Sequence, residues 1–429
     1  MPVCVKIMNY EILKPVDVDW DTLGKILRDT QHAVWKTKNR TVQMLWDLEN
    51  AKYSYEQRFN EKFRFSDLGI GVKDPASDIY RICTNDFPFV YSYILNVAVR
   101  EAQQRFKSML SDILKGNVSL PSFKRDTPIP VRAKQMKLYQ EDKEYFAQIG
   151  LLSRNYAKEN NLPTRFTVKL IAKGGAKAII DRLLSGKYEL RDSRILRRGK
   201  KWFLSLTYRF ESEPAELDEN NIMGIDLGGN NLATIAFNNS LDRYFIPNDE
   251  IKEFNKRIRQ RRKALLMQGK FCGEGRIGHG IKTRIKPIKK LSGKIANFRN
   301  TTNHKYAKYI VNLAVKHGCG VIQMEDLTGV KRDREKQLED WTYYDLQQKI
   351  EYKAKERGIN VVYVKPAYTS QRCSRCGHIA KENRKSQSEF ECTNCGFKTH
   401  ADYNAARNIA TKDIEKLIEI ELKREKISA

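Results

Sequence analysis

Residues 368–410 read YTSQRCSRCGHIAKENRKSQSEFECTNCGFKTHADYNAARNIA. The stretch holds two C-x2-C pairs, Cys373 with Cys376 and Cys392 with Cys395, with 15 residues between them. Paired cysteines at this spacing are a strong zinc signal, because each pair grips one side of a tetrahedral ion from a tight turn. Gly377 and Gly396 follow the second cysteine of each pair, where the turn needs a permissive backbone. Four thiolates leave no open position, so this zinc is expected to be structural, one per chain. Free core cysteines or disulfides are the rival reading and suit the spacing poorly. His378 and His400 flank the site and read as solvated loop residues rather than ligands. HADYNAARNIA follows as a helix start, with Asp402 as a lone carboxylate. Taken alone, Asp402 reads equally well as a helix cap.

Upstream of this stretch, INVVYVKP (359–366) reads as a strand and 342–357, after Trp341, as a helix. GCGVIQMEDL (318–327) is a strand that ends in Glu325 behind Val321, Ile322 and Met324. Before it, Tyr306, Ile310, Leu313 and Ala314 mark the buried stripe of a helix from about Thr302 to His317, stopped by Gly318. GKFCGEGRIGHGIKTRIKP (269–287) reads as a basic, glycine-rich loop suited to tracking a phosphate backbone. DEIKEFNKRIRQRRKALL (249–266) is a basic helix. NIMGIDLGGNNLATIAF (221–237) reads as strand, glycine turn, strand, with Asp226 between Ile225 and Leu227 and a close approach allowed at Gly228 and Gly229. A carboxylate inside an apolar strand is costly unless something binds it. The order is β-β-α-β-α-β, insertion, α, with acids at 226, 325 and 402 on strand, strand and helix start.

The N-terminal half has a different texture. Residues 3–13 alternate as a strand closed by Pro15, and Asp19 or Asp21 caps a long helix whose stripe includes Leu23, Ile26, Leu27, Thr30 and Val34. Residues 60–88, with Gly69, Gly71, Pro75 and Pro88, read as loop, and a second helix spans about Tyr91 to Lys115. From 117 to 216 the pattern is β-rich: RFTVKLI (165–171), a short helix in 174–186, and the alternating KWFLSLTYRF (201–210). Arg197, Arg198, Lys200 and Lys201 precede that last strand as either a phosphate contact or a solvated hairpin turn. The first strand is expected to join this sheet, making 18–116 a helical insertion into a barrel-like β domain of residues 1–17 and 117–216.

Composition restricts the partners. Lys and Arg number 79 against 52 acids, a formal charge of +27 spread along 429 residues, which calls for a polyanion, by default nucleic acid. No apolar run approaches the ~20 residues of a membrane span. MPVCVKIMNYE lacks a signal-peptide pattern, and Cys4, Cys83, Cys272 and Cys319 show no pairing logic, so a reducing cytoplasm is expected.

GIDLG (224–228), MEDL (324–327) and HADYNAARNIA (400–410) resemble the three acid motifs of RuvC-type nucleases, which have an RNase H-like fold. With YTSQRCSRCG (368–377) the chain resembles the TnpB proteins and the CRISPR effectors related to them. EILKPVDVDW (11–20), SLPSFKRD (119–126), TTNHKYAKYIV (301–311) and WTYYDLQQKI (341–350) are similar to the miniature type V-F CRISPR effectors in particular. The resemblance implies a multidomain α/β chain: a wedge domain (1–17 and 117–216), a helical recognition domain (18–116), a RuvC nuclease domain (217–372 and 397–429) and a zinc-bearing target-nucleic-acid loop (373–396). It further implies a guide RNA that pairs with double-stranded target DNA beside a short protein-read motif. One RuvC site would cut both strands with two Mg²⁺ ions, Asp226 bridging and Glu325 and Asp402 on either side. It implies two copies of the chain on one guide RNA, a reading to which the surplus aromatics Trp20, Trp35, Trp46, Phe87, Phe89, Tyr91 and Tyr93 lend themselves. Two rivals stand beside it: a transposon TnpB nuclease, and a non-cleaving RNA-guided DNA-binding regulator.

Overall fold

Alternation without an internal glycine makes Val3–Pro15 (β1) a strand, and Asp19 caps the helix that follows it. The computed structural model describes residues 3–63, 75–212, 214–228, 231–270, 281–327, 343–386 and 388–428. They divide into two units, Val3–Phe210 and Glu211–Ala429.

In the first unit the Asp19 carboxylate accepts from the Thr22 N–H at 2.7 Å and starts α1 (Trp20–Phe59), 40 residues long. Helices α2 (Pro75–Asp86) and α3 (Ser92–Leu114) follow. The remaining elements are β2 (Ile129–Val131), β3 (Lys137–Glu141), β4 (Glu144–Gly150), α4 (Arg154–Glu159), β5 (Arg165–Ile171), α5 (Gly175–Leu184), β6 (Glu189–Arg198) and β7 (Lys201–Glu211). The strands order as β2-β6-β7-β1-β5-β4-β3, so β1 does enter this sheet, at its centre and antiparallel to β5. The expected barrel is a sheet with two ends, β2 and β3, rather than a hydrogen-bonded ring. Leu23, Leu27 and Val34 of α1 and Ile94, Leu95 and Ala98 of α3 share one core with Tyr10, Val168, Leu204 and Leu206 of the sheet.

Two readings of this half change. Helix α2 occupies part of the expected 60–88 loop: Pro75 pre-sets a first helical turn, and Ala76, Ile79 and Cys83 form a short buried stripe. Residues 64–74, with Gly69 and Gly71, lie outside the described residues. The seven aromatics are mostly packed. Trp35 donates to Phe123 O at 2.8 Å, Trp46 packs on the Val42–Phe106 cluster, and Phe87, Phe89 and Tyr91 pack on the main core. Tyr93 bonds Asp192. Only Trp20 is more than a third exposed, so these residues no longer suggest an interface. The basic cluster is the tip of the β6–β7 hairpin, with Arg198 opposite Lys201.

The second unit contains β8 (Asp218–Leu227), β9 (Asn231–Phe237), β10 (Arg243–Pro247), α6 (Asp249–Lys270), α7 (Ile281–Lys316), β11 (Cys319–Glu325), α8 (Tyr343–Glu356) and β12 (Asn360–Val364). The short β13 (Glu389–Glu391) and β14 (Lys398–His400) precede α9 (Ala401–Ile409) and α10 (Ile414–Ser428). The sheet orders β10-β9-β8-β11-β12; β10, β9 and β8 are antiparallel, and β8, β11 and β12 are parallel. Strand β10 and helix α10 add to the expected order. Helix α7 takes in residues 281–287 of the expected glycine-rich loop. Residues 271–280, including Cys272, and residues Gly229 and Trp341 lie outside the described residues. Phe298 of α7 stacks on Phe254 of α6 with ring centroids 3.7 Å apart. Among the described residues no helix is long and apolar enough to cross a membrane.

Candidate acid site and cysteine centre

Parallel pairing puts the ends of β8 and β11 side by side. Ile225 lies opposite Met324, so the next residues, Asp226 and Glu325, emerge together at the carboxyl ends of the two strands. That edge is where open parallel sheets bind ligands, since the loops leave and the strand ends stay rigid. Helix α9 supplies the third acid from its first turn. It lies directly on β8: a Cβ on Gly224 would stand 2.3 Å from both Ala406 O and Ala410 N. Ala401, Ala405, Ala406 and Ala410 are all buried, and this small-residue face lets the helix sink onto the strand. Arg407 bonds Phe237 O and Ser240 O, locking the helix over the end of β9.

Asp226, Glu325 and Asp402 thereby line one hollow of about 240 Å³, with Thr369 and Arg384 on its wall. Burial pushes the Asp226 carboxyl up to about 8; Glu325 and Asp402 add to the rise and Arg384 opposes it. Burial also raises Glu325, against the Thr369 hydroxyl and Arg384. Asp402 is 2% exposed; its Oδ1 faces Arg384 Nη2 at 3.6 Å, and its Oδ2 has no hydrogen-bond partner. A crowded, desolvated, all-oxygen donor set with an unpartnered carboxylate oxygen suits a hard cation.

The cysteine centre is built from two copies of one turn. Cys373 N–H donates to His378 O and Gly377 N–H to Cys373 O; Cys392 N–H donates to Phe397 O and Gly396 N–H to Cys392 O, all at 2.9 Å. Gly377 and Gly396 take φ of +87° and +66°. Cys373 Sγ lies 3.8 Å from Cys395 Sγ, and Cys376 Sγ lies 3.6 Å from Cys392 Sγ. Zn–S bonds of about 2.3 Å in a tetrahedron require S–S edges of ~3.8 Å, so the four sulfurs fit zinc. Burial pushes Cys373 up to about 12, whereas the Phe397 N–H holds Cys395 down at about 7. Among the described residues only these cysteines bring three or more ligand atoms within 4.8 Å of one another; the acids frame a wider hollow. The flanking histidines are bonded rather than solvated. His378 Nε2 meets Thr393 Oγ1 at 3.1 Å, and His400 caps α9 by accepting from the Asp402 N–H at 3.2 Å. Asp402 is therefore not the cap.

Two family descriptions match this unit: Cas12f1-like, TNB domain, over residues 343–409, and probable transposase over 205–331. The latter also takes in the end of β7. A CRISPR-associated endodeoxyribonuclease Cas12f1 from Sulfoacidibacillus thermotolerans is 42% identical over 417 residues, covering 96% of this chain and 99% of the relative. The chain belongs to the Cas12f1 family. A second Cas12f1, from Syntrophomonas palmitatica, is 36% identical over 81% of this chain and 78% of the relative. The protein in a cryo-EM structure of a Cas12f1–sgRNA–target DNA complex shares the fold, with a TM-score of 0.73 at 22% identity over 95% of this chain and 99% of that one.

Three features of this Cas12f1-family site escape a reading of the sequence. Arg384 lies in KENRKSQ, a run of solvated-looking charges, and nothing periodic marks the one that turns inward. Gly224 had a signal, a glycine inside an apolar strand, which denotes close backbone approach. Thr369, Asn404 and Asn408 are polar residues of the quoted motifs whose burial only the fold reveals.

Proposed function

We propose that this chain is a CRISPR RNA-guided endonuclease of double-stranded DNA, with its hydrolytic centre at Asp226, Glu325 and Asp402. The supporting observation is the convergence of these three acids in one buried hollow, with Asp402 Oδ2 unpartnered, in a chain of the Cas12f1 family. On this reading residues 217–372 and 397–429 form an RNase H-like RuvC nuclease domain, with its zinc loop at 373–396. Ahead of it in the chain lie a wedge domain, 1–17 and 117–216, and a helical recognition domain, 18–116.

The three carboxylates would hold two Mg²⁺ ions, which when bound supply an activated water and stabilise the leaving oxygen of the phosphodiester. The chain's own groups prepare that step. Arg384 points a guanidinium into the hollow, where it can pair with a phosphate oxygen. Because Arg384 belongs to the zinc loop, the cysteine centre fixes the base of the segment that presents it. Gln347 donates to Glu325 O at 2.7 Å and steadies the strand end. The exposed Lys252, Lys256 and Arg259 of α6 and the Arg197–Lys201 hairpin tip offer sequence-independent phosphate contacts.

The CRISPR reading is favoured over a TnpB nuclease by the end-to-end likeness to a Cas12f1. It is favoured over a non-cleaving regulator by the presence of all three acids. Two chains on one guide RNA belong to the same proposal and rest on the resemblance to type V-F effectors. The test is to purify the chain from cells carrying its neighbouring locus, sequence the bound RNA, and assay a matched duplex. Guide-dependent cutting of both strands by the wild type, with Glu325→Gln binding but not cutting, is expected. Absence of RNA, or undiminished cutting by Glu325→Gln, overturns the proposal. A mass of one chain per RNA with full cleavage would reject the pair.

A further inference from the structure

Glu325 is held from two sides. Gln347 fixes its backbone carbonyl, and Thr369 reaches its carboxylate. Thr369 is fully buried, and its hydroxyl lies 2.7 Å from Glu325 Oε1 and 3.0 Å from Pro366 O. One hydroxyl carries one proton, and Glu325 Oε1 is the nearer of its two acceptors. Pro366 O is left as a neighbour that limits the rotation of the hydroxyl.

The turn that carries Thr369 is itself gripped by α9. Asn408, fully buried, donates to Thr369 O at 2.9 Å and to Arg372 O at 2.7 Å, and its Oδ1 accepts from Arg372 Nη1 at 2.8 Å. One helical turn earlier, Asn404 donates to the same Arg372 O at 2.8 Å and accepts from the Ser374 N–H at 2.9 Å. Both amides thus bond to a single chain segment, 369–374. The helix that brings Asp402 into the hollow therefore also sets the position of the hydroxyl that holds Glu325.

We infer that Thr369, clamped by Asn408, is a positioning residue for Glu325: it ties up Oε1 so that the remaining oxygen is aimed into the hollow beside Asp226 and Asp402. This rests on the reading of Glu325 as a metal ligand. Hydrogen bonds to a ligating carboxylate fix its orientation, and their loss typically costs 10–100-fold in metal affinity or activity. A packing role alone would depend on the methyl group and volume of Thr369, not on its hydroxyl.

Thr369→Val keeps the shape and removes the hydroxyl; Thr369→Ser keeps the hydroxyl and removes the methyl. Two quantities are measured on the full-length, zinc-loaded chain. One is Mn²⁺ binding to the chain without RNA, by electron paramagnetic resonance of the free ion. The other is single-turnover cleavage by the guide-loaded complex as Mg²⁺ is varied. Thr369→Val is expected to weaken Mn²⁺ binding and slow cleavage at limiting Mg²⁺, each by roughly 10–100-fold, with guided DNA binding retained. Thr369→Ser is expected to restore both. If valine does not fold, Thr369→Ala provides the same comparison against serine. Wild-type Mn²⁺ binding and cleavage in the hydroxyl-free variant, or equal losses with valine and serine, would overturn the inference. Glu325→Gln run in parallel separates the two levels: if it is also unimpaired, the reading of Glu325 itself fails; if it is inactive while Thr369→Val is normal, only the positioning role fails.

Discussion

The four cysteines meet because two copies of one short turn face each other within residues 373–397; the three acids meet because parallel strands and a crossing helix gather positions 226, 325 and 402. The first centre is local and closed, with sulfurs 3.6–3.8 Å apart across the two pairs. The second is assembled over long range and remains a hollow, with one carboxylate oxygen unpartnered. The difference separates two tasks. A closed thiolate shell contributes to folding and leaves no position for a reactant, whereas an oxygen-lined hollow costs stability until a cation and a phosphate fill it. The two are joined through Arg384, which hangs from the cysteine loop and faces the acids.

The sharpest way to break the comparison is to disable one centre at a time. Asp226→Asn and Asp402→Asn should each lower cleavage by about a thousandfold or more if, as proposed, each is a metal ligand, worth several kcal/mol at the transition state. Zinc content and guided DNA binding should be unchanged. Gel assays of cleavage beside elemental analysis check this, and a mutant that cuts normally takes that residue out of the centre.

Cys373→Ser and Cys392→Ser should do the reverse at first, releasing the zinc and opening the 373–396 segment to protease. Cleavage should then fall as Arg384 loses its anchor. Limited proteolysis with metal analysis reads this directly; retention of one tightly held zinc by either variant would contradict the Cys4 assignment.

The glycines sharpen the contrast on a smaller scale. Gly224→Ala should lower stability by about 1–3 kcal/mol and impair cleavage, since its Cβ would collide with the backbone of Ala406 and Ala410 and lift α9 from β8. Gly396→Ala meets nothing within 4 Å, so only its φ of +66° is at stake, roughly 1–2 kcal/mol, with the effect confined to zinc retention. Thermal unfolding and cleavage, measured on both variants, would show whether space matters at the acids and conformation at the cysteines.

The cysteine centre was legible because everything it needs is carried by spacing: two pairs, two following glycines, one connecting loop. The acids were legible as anomalies, charges in apolar strands at Asp226 and Glu325. Their company was not, because strand order and register decide which carboxylates become neighbours. Helix α2 and strand β10 were missed for another reason: each is short, and a buried stripe of three residues or a five-residue strand leaves little periodicity to read.

The sequence by itself determined the ligand chemistry of the cysteine loop, the basic character of the chain, the principal helices and strands, and the identity of three acids out of place. Tertiary structure alone decided that Asp226 and Glu325 emerge side by side from parallel strands, that Gly224 lets α9 lie close enough to deliver Asp402, and that Arg384, Thr369 and Asn408 face inward. The physical reason is range. Spacing and periodicity describe contacts within a few turns of chain, whereas the burial and pairing of a polar side chain depend on which distant segment the fold lays against it.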